Sequence, residues 1–209
     1  MNPAAPYTLI PRYRPNGTVV DVSPPPTEFV RDEFTFRVVS GSDDIATVHE
    51  WMNRPHNAET WGYDWPVERW SNHIAAQLDT NYSRPIIVTV DGVDVAYMEF
   101  YRPSQDIIGE FYECDPHDLG LHIAIADIES SPKGRGSRLM SVVVDEFFSY
   151  DPNCKAVAFE PDASNIAVRK AVLKTGSTFI GEMPIPNREI ALYLTPRPGT
   201  SLTETRRGY

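Results

Sequence analysis

Cysteine is nearly missing from this sequence. Cys114 and Cys154 stand alone, without the CxxC spacing of a redox pair or a metal knuckle. That excludes a disulfide framework and a cysteine zinc cluster, and leaves two thiols expected to be buried. Basic charge is short as well: 19 Lys and Arg against 29 Asp and Glu give a formal net charge of −10. Such a chain repels a phosphate backbone, so nucleic acid is excluded as a partner, whereas cationic small molecules, amines among them, are attracted. Long apolar runs are absent. Nothing approaches the roughly 18 apolar residues of a membrane span, nor is there a signal-peptide h-region, so a cytoplasmic protein is expected. His49, His73 and His117 lack ligand spacing to other metal-binding groups, and no metal is expected.

What remains is an ordinary globular composition, 41% hydrophobic and 23% charged over 209 residues, enough for one core. Proline marks the one uneven stretch. Pro3, Pro6, Pro11, Pro15, Pro24, Pro25 and Pro26 fall within residues 1–33, which read as an N-terminal arm before a single domain over 34–196 and a tail over 197–209. No interface pattern stands out, and a monomer is the default. The domain reads as β-α-α-β-β-β-α-β-α-β-β. Phe34 to Val39 is a strand; Ser42 is the expected N-cap of a helix carrying Ile45, Val48, Trp51 and Met52; Asn53 to His56 is a loop. A second helix follows Pro66 to about Leu78. Runs 85–90 and 93–101 flank Asp91-Gly92, a strong hairpin signal. Leu119 to Ala126 is a strand, Leu139 to Phe148 a helix, Ala156 to Phe159 a strand, Ser164 to Lys174 a helix ending at Gly176, and 178–182 and 189–194 two last strands.

Chemistry concentrates after the third long strand. Alternation puts His122, Ala124 and Ala126 on one face, where the two alanines are expected to leave room for a slender ligand. Lys133-Gly134-Arg135-Gly136-Ser137-Arg138 then opens a helix, with backbone N–H groups and three cations gathered as for a phosphate. The bland reading is a solvated turn.

This order of strand, glycine loop, helix, strand and helix resembles the GNAT superfamily of acyl-CoA-dependent N-acyltransferases. The loop pattern Q/R-x-x-G-x-G/A is matched from Ser131 to Gly136, with Ser131 in the Gln/Arg place, and Asn165 to Arg169 leading to Gly176 resembles the second family helix. The resemblance implies an α/β (α+β) fold: a central mixed, mostly antiparallel sheet flanked by helices, with a V-shaped opening between the middle strands. It implies a coenzyme A thioester, acetyl or longer, held by Ile123, Ala124 and Ile125, by Lys133 through Arg138, and by Asn165 and Arg169. Val172 stands where many members carry a tyrosine acid, so the leaving thiolate takes its proton from elsewhere. Over residues 36–194 the chain is similar to the siderophore-biosynthesis branch of that superfamily. The resembling segments are Trp51 to His56, Tyr63 to Pro66, Tyr97 to Tyr101, Asp115 to His122 and Phe159 to Asp162. That branch implies that His122 and Asp162 face an acceptor amine, the N6 of lysine or N6-hydroxylysine, with hydroxyornithine or a diamine as alternatives. The donor is acyl-CoA or an acyl carrier protein. A GNAT enzyme of proteins or aminoglycosides, and a non-catalytic acyl-CoA-binding module, are the competing readings.

Aminolysis of a thioester needs a neutral amine, a carbonyl within its reach and an acceptor for the released proton. Asp162, at a Pro turn after a buried strand, is the expected base; His122 bonds the nucleophile or relays its proton, and backbone N–H near Ile123 meets the oxyanion. A turn-capping role before Ser164 is the bland reading of Asp162. Glu99 and Tyr101 share a strand face, where Glu99 is expected to hold an α-ammonium or else face solvent. Trp61, Tyr63 and Trp65 are expected to wall the acceptor pocket, with Asn53 and His56 lining it; a core aromatic cluster is the alternative.

Overall fold

The computed structural model describes residues 10–14, 22–128, 132–186, 188–200 and 202. Strands β1 (Phe29–Arg31) and β2 (Phe34–Val38) precede helices α1 (Gly41–Met52), α2 (Pro55–Trp61) and α3 (Val67–Leu78). Then come β3 (Ser83–Val90), β4 (Val93–Tyr101), β5 (Leu119–Ile125), α4 (Arg135–Tyr150), β6 (Ala156–Phe159), α5 (Ile166–Leu173), β7 (Thr178–Ile185) and β8 (Arg188–Pro196). One eight-stranded sheet runs β1-β2-β3-β4-β5-β6-β8-β7. Among the described residues only β5 and β6 pair in parallel; every other neighbour is antiparallel.

The middle of the sheet splits. β5 and β6 share only the pairs Leu119↔Val157 and Gly120↔Ala158 before they part. Beyond Ala158 the chain runs through Glu160-Pro161 and stays on β8: Ala191 N donates to Pro161 O at 2.9 Å, Ala163 N donates to Glu189 O at 2.9 Å, and Asp162 bridges Ile190. Among the described residues, the edge of β5 beyond Gly120 therefore has no strand beside it.

Two layers of helix cover the sheet. Met98 and Phe100 of β4 pack with Leu121 of β5 against Leu139, Met140, Val143 and Phe147 of α4. Tyr97 and Ala124 pack on the opposite face against Val48, Trp51 and Met52 of α1 and Trp70 and Ile74 of α3. Each such side chain contributes ~1.5–3 kcal/mol by leaving water. The Asp91-Gly92 hairpin forms as its sequence directs, both residues at positive φ (50° and 79°).

Several boundaries differ from expectation. Ser40, not Ser42, is the N-cap of α1, with Gly41 the first helical residue. Asn53 to His56 is not all loop, because Pro55 at the first position starts α2, where a missing N–H costs nothing. α4 begins at Arg135, four residues early, since Gly134 at φ 88° caps it. The arm contains β1, and residues 10–14 lie against the strand end: Tyr13 bridges Asp106 and Ile107 N donates to Arg12 O at 3.1 Å. The alanine face leaves no room for a ligand, because Ala124 and Ala126 are buried in the cluster of Trp51, Trp65 and Trp70. Cys154 is buried, whereas Cys114 is only half-buried. Among the described residues no helix is long and apolar enough to cross a membrane.

Candidate active site

The β4–β5 register sets Glu99 beside His122 and Tyr101 beside Gly120. With two-residue alternation, Tyr97, Glu99 and Tyr101 share one face of β4. His122 Nδ1 donates to Glu99 Oε2 at 3.1 Å, and His73 Nε2 of α3 meets Glu99 Oε1 at 3.0 Å, where the Tyr97 hydroxyl also donates at 2.9 Å. On its other side His122 Nε2 donates to Glu160 Oε1, at the end of β6. The Tyr101 hydroxyl donates to Glu160 Oε2 at 2.6 Å, and its ring stacks on the His122 imidazole, centroids 4.7 Å apart and 22° from parallel. Gly120 makes this possible, since a Cβ there would lie 2.7 Å from the Tyr101 hydroxyl oxygen. Trp61 of α2 meets the imidazole edge-on at 5.5 Å.

The arm completes the network. Arg12 Nη2 lies 2.7 Å from Glu160 Oε1 and 2.9 Å from Asp106 Oδ1, and Nε donates to Asp106 Oδ2 at 3.2 Å, where the Tyr82 hydroxyl also donates. Arg12 is 9% exposed, Glu160 3% and Glu99 4%. Burial alone would raise the pKa of both glutamates, but Arg12 and His122 pull Glu160 down to about 2, and His122 and His73 hold Glu99 far below the usual carboxylate range. Burial alone would lower the His122 pKa; the Glu160 charge and the hydrogen bonds to both glutamates outweigh it and raise the value. Ionised carboxylates only accept, so both ring nitrogens of His122 must carry protons. His122 is an imidazolium held between two anions.

Beside this network lies a cavity of about 690 Å³, lined by Leu121, His122 and Ile123 of β5, by Glu160 to Asp162, and by Trp61 to Pro66. Backbone direction on β5 follows from Ala126, whose N–H donates to Val95 O of β4 at 3.0 Å. Residues of the same parity, Ala124 and His122, turn their peptide groups to β4, and Ile123 and Ile125 turn theirs to the split. Ile125 O is taken there by His56 Nε2 at 3.0 Å and Asn57 Nδ2 at 3.2 Å. Ile123 is left facing the opening. Asp162 is half-buried at the cavity wall, with Oδ1 accepting from Ser164 N at 2.9 Å and Ser164 Oγ at 2.5 Å. Its capping role and its place on the cavity coexist, because both bonds fall on one oxygen.

The other expected residues divide. Tyr63 and Trp65 line the cavity as a stacked pair, centroids 4.1 Å apart, and burial raises the Tyr63 pKa to about 12. Trp65 also belongs to the core. Glu99 neither faces solvent nor reaches the cavity lining; its oxygens are filled by His73, His122 and Tyr97, so an α-ammonium finds no acceptor there. Tyr101 is wholly buried behind His122. Asn53 is exposed and bonds to the carbonyls of His49 and Trp65, away from the cavity lining, while His56 reaches β5 rather than the pocket. Lys133 is exposed, Gly134 to Ser137 form the first turn of α4, and Arg138 pairs with Asp32 and Glu33 instead of standing free. Ser131 falls outside the described residues. Asn165 caps α5 through Val168 N at 3.1 Å and lines the cavity, as does Val172; Arg169 is taken by Tyr193, Glu182 and Ala163 O. Among the described residues no three His, Cys, Asp or Glu are arranged for a metal.

Sequence reasoning missed Glu160, Arg12, His73 and Asp106. Glu160 had a signal, an acid ending an apolar strand two residues before Asp162. Arg12 had none, lying among prolines far from the strands it serves.

The Acetyltransferase (GNAT) domain family matches residues 41–185 of this chain. The chain is 40% identical over 197 residues to lysine N-acyltransferase MbtK of Mycolicibacterium paratuberculosis, covering 93% of this chain and 89% of that protein. It is 42% identical over 176 residues to lysine N-acyltransferase MbtK of Mycobacterium sp. (strain MCS), covering 84% and 72% respectively. In fold it is similar to AAC(6')-Ib, solved in complex with acetyl-CoA, at a TM-score of 0.70 and 24% identity, covering 79% of this chain and 94% of that one.

Proposed function

Because this chain belongs to the GNAT acetyltransferase family, we propose that its acceptor is the N6 amine of lysine or N6-hydroxylysine, acylated on the way to a hydroxamate siderophore. The observation that carries this reading is the cavity at the β5–β6 split, where His122, Asp162 and the free edge of Ile123 come together. The residues present fit a coenzyme A thioester. The first turn of α4 offers backbone N–H groups with no helical acceptor, and a Cβ at Gly134 or Gly136 would meet nothing within 4 Å, so the approach is open. Lys133 and Arg135 supply charge to the pyrophosphate, and the thioester supplies an acyl carbon open to attack.

Ile123 N–H, at the split, stabilises the oxyanion. Asp162 takes the proton from the attacking nitrogen through Oδ2, since Oδ1 is engaged by Ser164. His122 has no lone pair for that task, and both its N–H groups are held by Glu99 and Glu160; as an imidazolium it provides positive charge beside the reaction, and the leaving thiolate, which Val172 cannot protonate, takes its proton from solvent. A cytoplasmic, monomeric protein taking acyl groups from coenzyme A or a carrier protein is consistent with this chemistry, as is one catalytic domain over 34–196 with the arm docked on it.

A matrix of donors from acetyl- to palmitoyl-CoA against lysine, N6-hydroxylysine, N5-hydroxyornithine and cadaverine, read by free thiol, tests the assignment. Turnover with a lysine-type acceptor is expected. Asp162→Asn should lower kcat by ~10²–10⁴ while sparing acyl-CoA binding; unchanged kcat would remove Asp162 from the mechanism.

A further inference from the structure

Arg12, Arg14, Arg69 and Arg188 line the cavity. Arg12 is shared by Glu160 and Asp106, Arg14 donates from Nη1 to the carbonyls of Pro11 and Tyr13, and the exposed Arg69 lies over the Trp65 ring, 3.9 Å from its centroid. Arg188 interacts with the charges of Glu160, Tyr63 and Asp162, on the side of the cavity that holds His122. It opens β8 opposite Ile185 at the β7–β8 hairpin, lines the cavity, and its Nη1 donates to Thr60 O in the last turn of α2. Among the described residues it forms no ion pair, although it is only half-exposed to water. Nη2 and Nε remain, and two adjacent guanidinium donors match the two oxygens of a carboxylate. The position is unfavourable for a lone cation: burial and the Arg12 charge both lower the Arg188 pKa, while Glu160, Tyr63 and Asp162 act the other way. An entering anion relieves that imbalance.

The loop expected to hold phosphate is elsewhere. No residue from Lys133 to Arg138 lines this cavity, so its cations are separate from those at the start of α4. Between the polar groups the lining is apolar and aromatic, with Trp61, Tyr63 and Ile185 suited to a short methylene chain. We propose that Arg188 is the carboxylate subsite of the acceptor: its guanidinium forks the α-carboxylate of an amino acid whose distal amine reaches His122 and Asp162. This rests on the reading of the cavity as the acyl-transfer site, and it makes the acceptor a free amino acid rather than a diamine.

Two substrates with the same distal amine separate the possibilities. L-lysine carries the carboxylate and cadaverine lacks it. Arg188→Gln should raise the KM for L-lysine roughly 10- to 100-fold, with the kcat/KM for cadaverine and the KM for acyl-CoA unchanged; Arg188→Lys should recover part of the loss. Equal losses on both amines would mean that Arg188 only clamps β8 to α2, and an unchanged lysine KM would remove the subsite; either result overturns the proposal. Calorimetric titration with L-norleucine, which keeps the carboxylate but has no N6 to acylate, gives an answer independent of turnover. Binding to the native protein that is lost in Arg188→Gln supports the subsite even if no amine is acylated, an outcome that would sink the proposed reaction instead. No binding to either protein, or equal binding to both, overturns it.

Discussion

At the scale of residues, the central fact is a histidine that cannot be a simple base. His122 lies between Glu99 and Glu160, both ionised, and its folded-state pKa is raised. The sign of its pH linkage follows: a group that binds its proton more tightly when folded contributes stability fully below its unfolded pKa of about 6.5, and that contribution is lost as pH rises through the folded value. Thermal unfolding should therefore show a Tm that declines above neutrality in the native protein and a flatter profile in His122→Gln. Superimposable profiles would contradict the imidazolium. Gly120 is the second residue of consequence, because its missing side chain is the space in which Tyr101 reaches Glu160. Gly120→Ala should cost ~1–3 kcal/mol in urea denaturation through overpacking, and the His122–Tyr101 stack should be visibly displaced in a structure of the variant.

Among the elements, the start of α4 carries the prediction. Gly134 sits at φ 88° with open space where a Cβ would go, so Gly134→Ala meets backbone strain of ~1–2 kcal/mol and no steric clash. The strain is relieved by shifting the first turn, and the N–H groups proposed to face the donor shift with it. Steady-state kinetics should show a raised KM for acyl-CoA with the amine KM unaltered; the reverse pattern would detach this turn from donor binding. β6 makes the complementary point. Its four residues leave the sheet open, because pairing with β5 stops at Ala158 while Pro161, Asp162 and Ala163 carry on along β8.

For the whole molecule, the Pro-rich arm is part of the site's electrostatics. Arg12 reaches across from residues 10–14 to two buried carboxylates, Asp106 and Glu160, whose own elements are separated by β5, α4 and β6. Removing one partner of a buried ion pair costs ~3–5 kcal/mol, since the remaining charges stay out of water. Arg12→Met, or deletion of residues 1–14, should lower the Tm and reduce turnover, with Arg12→Lys intermediate because an ammonium cannot fork both acids. A truncated protein as stable as the full chain would show the arm to be dispensable.

The sequence by itself determined what depends on neighbours along the chain. Alternation in β5, Asp91-Gly92, Pro66 before α3, the apolar run of β6 and Gly176 each act within a few residues, and the structure keeps them. The acyltransferase family could be read from segments such as Leu119 to His122 and Phe159 to Asp162, which also bring His122 and Asp162 to one cavity. Where local signals competed, the reading slipped by a residue or two, as with Ser40 and Ser42. Only the tertiary structure decided the partners. Glu99 reads as a substrate ligand until α3 brings His73 to it, Ala124 as an open face until Trp70 covers it, and Arg12 as linker until it meets Glu160. The reason is physical: the charge state of a buried group is set by what surrounds it in space, and those surroundings come from positions tens of residues apart that no local pattern joins.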